Sequence, residues 1–312
     1  MTDALTVGTV PLSGHQYEIS AGPYRTVVTG LGAGLRTVEF DGSPVLSGYD
    51  ADELPPGGAG QLLAPWPNRI DGGNYSFDGS SYQLALNEPA RSTAIHGLTR
   101  WANWDPVSQS DDAVELICEA HGQQGYPFSV ELSARYALSA ETGLTVTVTA
   151  RNRGTHAAPY GLGFHPYLTV GTPTVDTVTL TLPAAQWLPL DSRGIPSGPL
   201  ESVAGTEYDF QAGRLVGDTS LDNALGGLVR SAEDGRAWAH LSGGGRRVSM
   251  WAGAGFDWLQ VFTGDSLGPD HRRKAIAIEP MTCPPNAFVT GHDLIVLQPG
   301  DEAARTWGLT AE

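Results

Sequence analysis

Between residues 128 and 150, hydrophobic and polar positions take turns. Val130, Leu132, Ala134, Tyr136 and Leu138 alternate with polar neighbours, Glu141-Thr142-Gly143 reverses the chain, and Leu144, Val146 and Val148 resume the alternation. A period of two places one set of side chains on one face of a pleated strand, so the stretch predicts a β-hairpin with one buried face. Residues 24–40, 75–86, 113–119, 177–182, 247–251, 256–263, 275–278 and 293–297 read as strand-rich on the same grounds. Helical periodicity is nearly missing; residues 200–203 and 209–214 offer short helical turns at most. The 40 glycines and 22 prolines are spread along the chain and not gathered into a linker, punctuating short strands with turns. No repeat of fixed period marks a propeller or solenoid. The segments with loop character are residues 55–67 and 264–274. This pattern predicts an all-β chain, a large antiparallel β-sandwich with few short helices, in one domain over residues 1–312.

Composition narrows the partners. Hydrophobic residues make up 40% of the chain, enough for a real core. The 18 basic and 34 acidic side chains leave a formal charge of -16, which repels nucleic acid and anionic lipid. Cys118 and Cys283 are the two cysteines, with neither the number nor the spacing of a metal knuckle or disulfide framework. Met1-Thr2-Asp3-Ala4-Leu5 lacks the charged and apolar regions of a signal peptide, and no apolar run approaches a bilayer's thickness. A cytoplasmic protein, monomer or homodimer, is the expectation.

The chemistry concentrates in a few segments. Ala277-Ile278-Glu279-Pro280-Met281-Thr282-Cys283-Pro284-Pro285-Asn286-Ala287-Phe288 places an acid at the close of an apolar run, where prolines are expected to stop the strand. Gly161-Leu162-Gly163-Phe164-His165-Pro166-Tyr167 presents an imidazole fixed by a proline, and Ala94-Ile95-His96-Gly97 another beside a permissive glycine. A positioned imidazole and carboxyl suit general acid/base work, although a lone histidine also serves as a satisfied core residue. His96, His165 and Glu279 lack the short spacings of a metal site, and no metal is expected. Asn68-Arg69-Ile70 follows Ala64-Pro65-Trp66-Pro67, and an amide beside a forked guanidinium matches sugar hydroxyls as well as it fits a surface turn. Leu221-Asp222-Asn223 reads as a hydroxyl acceptor or a turn, and the eight tryptophans as stacking faces or core.

Two motifs are set aside. Gly30-Leu31-Gly32-Ala33-Gly34 precedes Leu35-Arg36-Thr37-Val38-Glu39-Phe40, which alternates like a strand, so it reads as a hairpin turn and not a dinucleotide loop. Gly264-Asp265-Ser266-Leu267-Gly268 has the nucleophile-elbow spacing, but Pro269-Asp270 follows where a helix is required.

Five segments in this order resemble the aldose 1-epimerase (mutarotase) family: Asn68-Arg69-Ile70 with the following Gly73–Gly79 stretch, Ile95-His96-Gly97, Gly163-Phe164-His165-Pro166-Tyr167, Leu221-Asp222-Asn223, and Ile278-Glu279-Pro280 onward. The resemblance spans roughly residues 24–307. It implies the galactose mutarotase-like supersandwich and cofactor-free interconversion of the α and β anomers of a free sugar. It further implies that His165 is the general acid and Glu279 the general base. By the same resemblance Asn68, Arg69, His96, Tyr167 and Asp222 bind substrate, and Gln260, in Leu259-Gln260-Val261-Phe262, is a further sugar contact.

One departure bears on the substrate. Galactose-type members are expected to carry a second glycine after His-Gly, whereas this chain has Leu98-Thr99-Arg100-Trp101. That segment is more similar to branches acting on phosphorylated or sulfonated sugars, and Arg100 either grips an anionic group on C6 or serves as a structural ion-pair partner. A non-catalytic sugar-binding or sensor protein on the same scaffold is the alternative of a different class.

Overall fold

Alternation becomes architecture in a computed structural model that describes residues 9–312; the first five residues, read above for a signal peptide, lie outside them. The hairpin forms from Val130–Ser139 and Gly143–Asn152, with Leu138 opposite Leu144 and buried positions falling at every second residue. It lies inside a nine-stranded sheet whose order is 105–109, 113–120, 130–139, 143–152, 302–311, 246–252, 237–243, 179–181 and 214–215. A second sheet of eight strands runs 201–202, 184–188, 222–228, 258–262, 276–281, 163–164 and 62–63, with 167–168 also paired to 276–281. The pairings are antiparallel in both sheets. A four-stranded sheet over residues 16–44 packs beside them, and Gly30–Gly34 is the turn between two of its strands.

The core sits where the inner faces meet. One apolar cluster runs from Tyr17 to Leu309 and draws inward-facing side chains from both large sheets, among them Leu132, Val146, Leu259, Val261, Ile276 and Ile278. Apolar area removed from water at about 25 cal/mol per Å² drives this arrangement.

Two expectations are corrected. Residues 200–203 are not a helical turn: Glu201–Ser202 is a short edge strand, because a sheet edge there offers backbone partners. Within 209–214 a turn does form, closed by the Gly213 N–H donating to the Phe210 carbonyl at 3.1 Å, before Arg214–Leu215 begins a second edge strand. Ala287–Thr290 is the one α-helix among the described residues. The strand carrying Glu279 does not stop at the acid; Ile276–Met281 continues through Pro280. The N–H groups of Ile278 and Thr282 donate to Pro166 and Leu162 carbonyls on one side of this strand. Pro280 lies between them, where the partner strand is interrupted at residues 165–166, so the missing N–H costs no ladder bond.

Candidate active site

Glu279 owes its position to register. Ile276 and Ile278 join the main core, so Ala277, Glu279 and Met281 face the other way. On that face Ala277 packs with Tyr49 and Tyr167, and Met281 with Trp258 and Leu188, leaving Glu279 between two apolar groups. Cross-strand partners share a face: Gln260 is opposite Glu279, and Ala224 opposite Gln260. On the other flank Gly163 pairs with Met281 and Tyr167 with Ala277, which sets His165 opposite Glu279. One row across the sheet therefore reads Ala224, Gln260, Glu279, His165. Phe164 points to the core, its ring 4.9 Å from Trp307, and sends its neighbour His165 outward.

His165 Nε2 lies 3.3 Å from Glu279 Oε1, with the side chains only 6% and 2% exposed. Burial pushes the imidazole down to about 3 and the carboxyl well above its ordinary range, with Asp222 adding to the rise and Arg69 opposing it. Both groups are driven toward their neutral forms, so the pair holds one proton between them. Tyr167 stacks on His165 at 4.9 Å, its hydroxyl donating to the Gly57 carbonyl, so it serves as the wall against which the imidazole is held.

His96 stands at φ 62, in the left-handed region, and its ring meets that of His165 edge-on at 5.5 Å. The Asn68 N–H donates to His96 Nδ1 at 3.2 Å, and burial lowers the imidazole well below its usual value. The neutral ring therefore carries its hydrogen on Nε2 as a donor. Gly97 follows at φ 68, and a Cβ there would sit 2.1 Å from the Ala64 carbonyl oxygen. Gly97→Ala is expected to cost about 1–3 kcal/mol, read as a fall in melting temperature, and to displace His96 with it.

The opposite wall comes from the strand Arg69–Asp71, paired with Thr93–Ile95. Asn286 pins it: its N–H donates to the Arg69 carbonyl at 2.7 Å and its Oδ1 accepts from the Asp71 N–H at 3.0 Å. Asp222 accepts from Gln260 Nε2 at 2.8 Å. Asn68, Arg69, His96, Arg100, His165, Tyr167, Asp222, Gln260 and Glu279 all line one cleft of about 420 Å³. That is within the usual size of a small-molecule site. Five buried polar atoms of cleft-lining residues have no protein partner: Glu279 Oε2, Asn68 Oδ1, Gln260 Oε1, Arg100 Nε and His165 Nδ1.

A wider trough of about 830 Å³ crosses the 16–44 sheet, but Glu18, Arg25 and Asp111 on it are exposed and converge on nothing. The tryptophans are mostly buried: Trp66, Trp104, Trp251, Trp258 and Trp307 are enclosed, and Trp101 is the one that lines the cleft. Ser266 is an exposed rim residue in a loop with no helix after it. Glu88 and Arg91 also line the cleft. Sequence reasoning missed both, because Asn87-Glu88-Pro89-Ala90-Arg91 has the composition of a solvated turn.

The profile of the aldose 1-epimerase family matches residues 15–309. The chain is 35% identical over 289 residues to the uncharacterized protein YihR of Escherichia coli K12, covering 92% of this chain and 90% of that one. It is 27% identical to the galactose mutarotase of Sus scrofa over 269 residues, 79% of this chain and 77% of that one. A solved aldose epimerase homologue from C. elegans has the same fold, with a TM-score of 0.85 at 20% identity over 96% of this chain and 98% of that one.

Proposed function

The chain belongs to the aldose 1-epimerase family, and from that premise we propose that it interconverts the α and β anomers of a free aldohexose, as a single domain using His165 and Glu279. The observation that carries this is the buried imidazole–carboxyl pair, 3.3 Å apart and facing a polar cleft. The reactive arrangement places the shared proton on His165. Glu279 takes the proton of the C1 hydroxyl while His165 delivers its own to the ring oxygen. The C1–O5 bond breaks and C1 becomes an aldehyde. Rotation about C1–C2 presents the other carbonyl face, O5 adds to it, and both protons return. Burial disfavours each charge, so the ion-paired arrangement relaxes by passing both protons through the sugar.

The remaining groups match hydroxyls. His96 donates from Nε2, Arg69 and Gln260 Nε2 are donors, and Asp222, Gln260 Oε1 and Asn68 Oδ1 are acceptors. Polarimetry on freshly dissolved α-D-glucose and α-D-galactose tests the reading, with Glu279→Gln and His165→Asn as controls. Relaxation at the buffer rate by wild type over a broad sugar panel would remove catalysis. Retained sugar affinity without acceleration would favour the non-catalytic sensor.

A second reading concerns the substituent on C6. Arg100 is mostly shielded, its guanidinium 5.2 Å over Trp101, and among the described residues no carboxylate lies within ion-pair range of it. A cation so placed is expensive to hold without a counter-charge. Arg100 acts electrostatically on His165 and His96, the side of the cleft where O5, and hence C5 and C6, would lie. A sulfonate or phosphate on C6 would supply its partner. On this reading Arg100→Ala lowers kcat/KM for a 6-sulfonated or 6-phosphorylated hexose by roughly 10–100-fold, in line with a charged hydrogen bond. Neutral hexoses lose little. An equal loss for all substrates would make Arg100 structural.

A further inference from the structure

Arg69 is placed to meet sugar hydroxyls, yet its full positive charge lies close enough to Glu279 to favour the carboxylate, the form that burial otherwise disfavours. The segment just before His96 answers this conflict. Asn87 acts like an extra strand on Ile95: its Oδ1 accepts the Ile95 N–H at 2.7 Å and its Nδ2 donates to the Ile95 carbonyl at 2.9 Å. Glu88 and Thr93 exchange backbone hydrogen bonds of 3.2 and 3.3 Å. The Glu88 carboxylate is thereby fixed beside the Arg69 strand.

There it accepts from Arg69 Nε at 2.7 Å, Arg69 Nη2 at 3.0 Å and Thr93 Oγ1 at 2.6 Å. Two parallel bonds fix the plane of the guanidinium. Arg91 then joins the walls, with Nε 3.8 Å from Glu88 and Nη1 3.9 Å from Asp222. Burial raises the Glu88 carboxyl, but the bonds from Arg69 and Thr93 outweigh it and keep the group ionised.

We propose that Glu88 is a positioning residue for anomer interconversion, holding Arg69 in a single plane and cancelling its charge so that Glu279 keeps its proton. The inference rests on the acid/base reading of Glu279. The charged and titratable groups acting on Glu279 are His165, Asp222 and Arg69, and Tyr167 beside it; those acting on Arg69 are Glu88, Asp222 and Glu279 itself. In this set only Glu88 is doubly hydrogen-bonded to Arg69. Removing its charge exposes the guanidinium and stabilises the Glu279 carboxylate, so the pair releases its shared proton at lower pH.

The test is a carboxyl ¹³C titration of the full chain with labelled glutamate, the Glu279 resonance identified by its loss in Glu279→Gln. In Glu88→Gln the Glu279 midpoint is expected to fall by roughly one pH unit, the lower end for an opposite charge at close range. The alkaline limb of kcat/KM should move down with it. Glu88→Asp keeps the charge but not the reach: its midpoint should stay near wild type while KM rises roughly 10-fold. An unmoved midpoint in Glu88→Gln, or the same movement in both variants, would overturn the proposal. Should Glu88→Gln fail to fold, the Asp variant decides alone, since a midpoint displaced as far as one unit there removes the role of charge. The titration needs no turnover. A wild type inert toward every sugar would therefore sink the acid/base reading while the Glu88 result still stands or falls on its own.

Discussion

Glu279→Gln is expected to lower kcat for anomer interconversion by roughly 10²–10⁴-fold while leaving the melting temperature unchanged or higher. The amide has nearly the shape of the carboxyl it replaces, in a setting only 2% exposed, so packing between Ala277 and Met281 persists. What disappears is the group that takes the C1 hydroxyl proton. The stability change has a definite sign. Burial raises the folded-state value of Glu279 above its ordinary 4.5. Wild type therefore has the stabilising contribution of a protonated acid below about pH 4.5 and loses it as pH rises through the folded value. Glutamine does not titrate, so the variant's advantage should be near zero in acid and grow toward alkaline pH. Polarimetry and thermal melts across pH read both effects. A variant that kept wild-type rates, or melted far lower at all pH values, would assign Glu279 to packing instead.

How much of this was legible beforehand depends on what each inference needed. The strands at 130–139 and 143–152 could be read directly, because one face is buried and the alternation survives in the sequence. The strand at 276–281 could not be bounded in that way. It is buried on both faces, so it shows no alternation, and Pro280 looks like its end. Proline is a breaker only where its N–H is required, and that depends on a gap in the neighbouring strand which no local pattern records. The nine residues singled out in the sequence line one cleft; eight were named through the resemblance and Arg100 through a departure from the galactose-type pattern. Their adjacency came from elsewhere: His165 stands opposite Glu279 through the pairings of Gly163 with Met281 and Tyr167 with Ala277. Glu88 was illegible for a different reason. A carboxylate in a Pro-containing turn is ordinarily solvated, and only the fold brings Arg69 beside it.

The cleft as a whole is therefore a problem of charge balance under burial. Arg69 is answered by Glu88, Arg91 bridges Glu88 and Asp222, and Arg100 alone has no carboxylate in range among the described residues. Within that frame the acid/base pair is left poised by its own neighbours.

His165→Asn should give the second large loss, again roughly 10²–10⁴-fold in kcat, with a smaller change in KM because His96, Arg69 and Gln260 remain to hold the sugar. Burial places the His165 imidazole at about 3, so wild-type activity should fall at the acid end only as the pair gains a second proton near that pH. The variant has no such group, so that limb should vanish; Glu279 then acts as a lone base, and the residual rate should rise as pH passes the raised value of its carboxyl. The stronger test is the double variant. Two groups that pass a single proton back and forth act as a unit, and removing the second after the first has little left to remove. His165→Asn with Glu279→Gln should therefore be no slower than the worse single variant to within a few fold. Losses that multiplied, as for two independent sites, would mean that each residue acts on a separate step. The 3.3 Å separation would then reflect packing in the sheet and not shared chemistry.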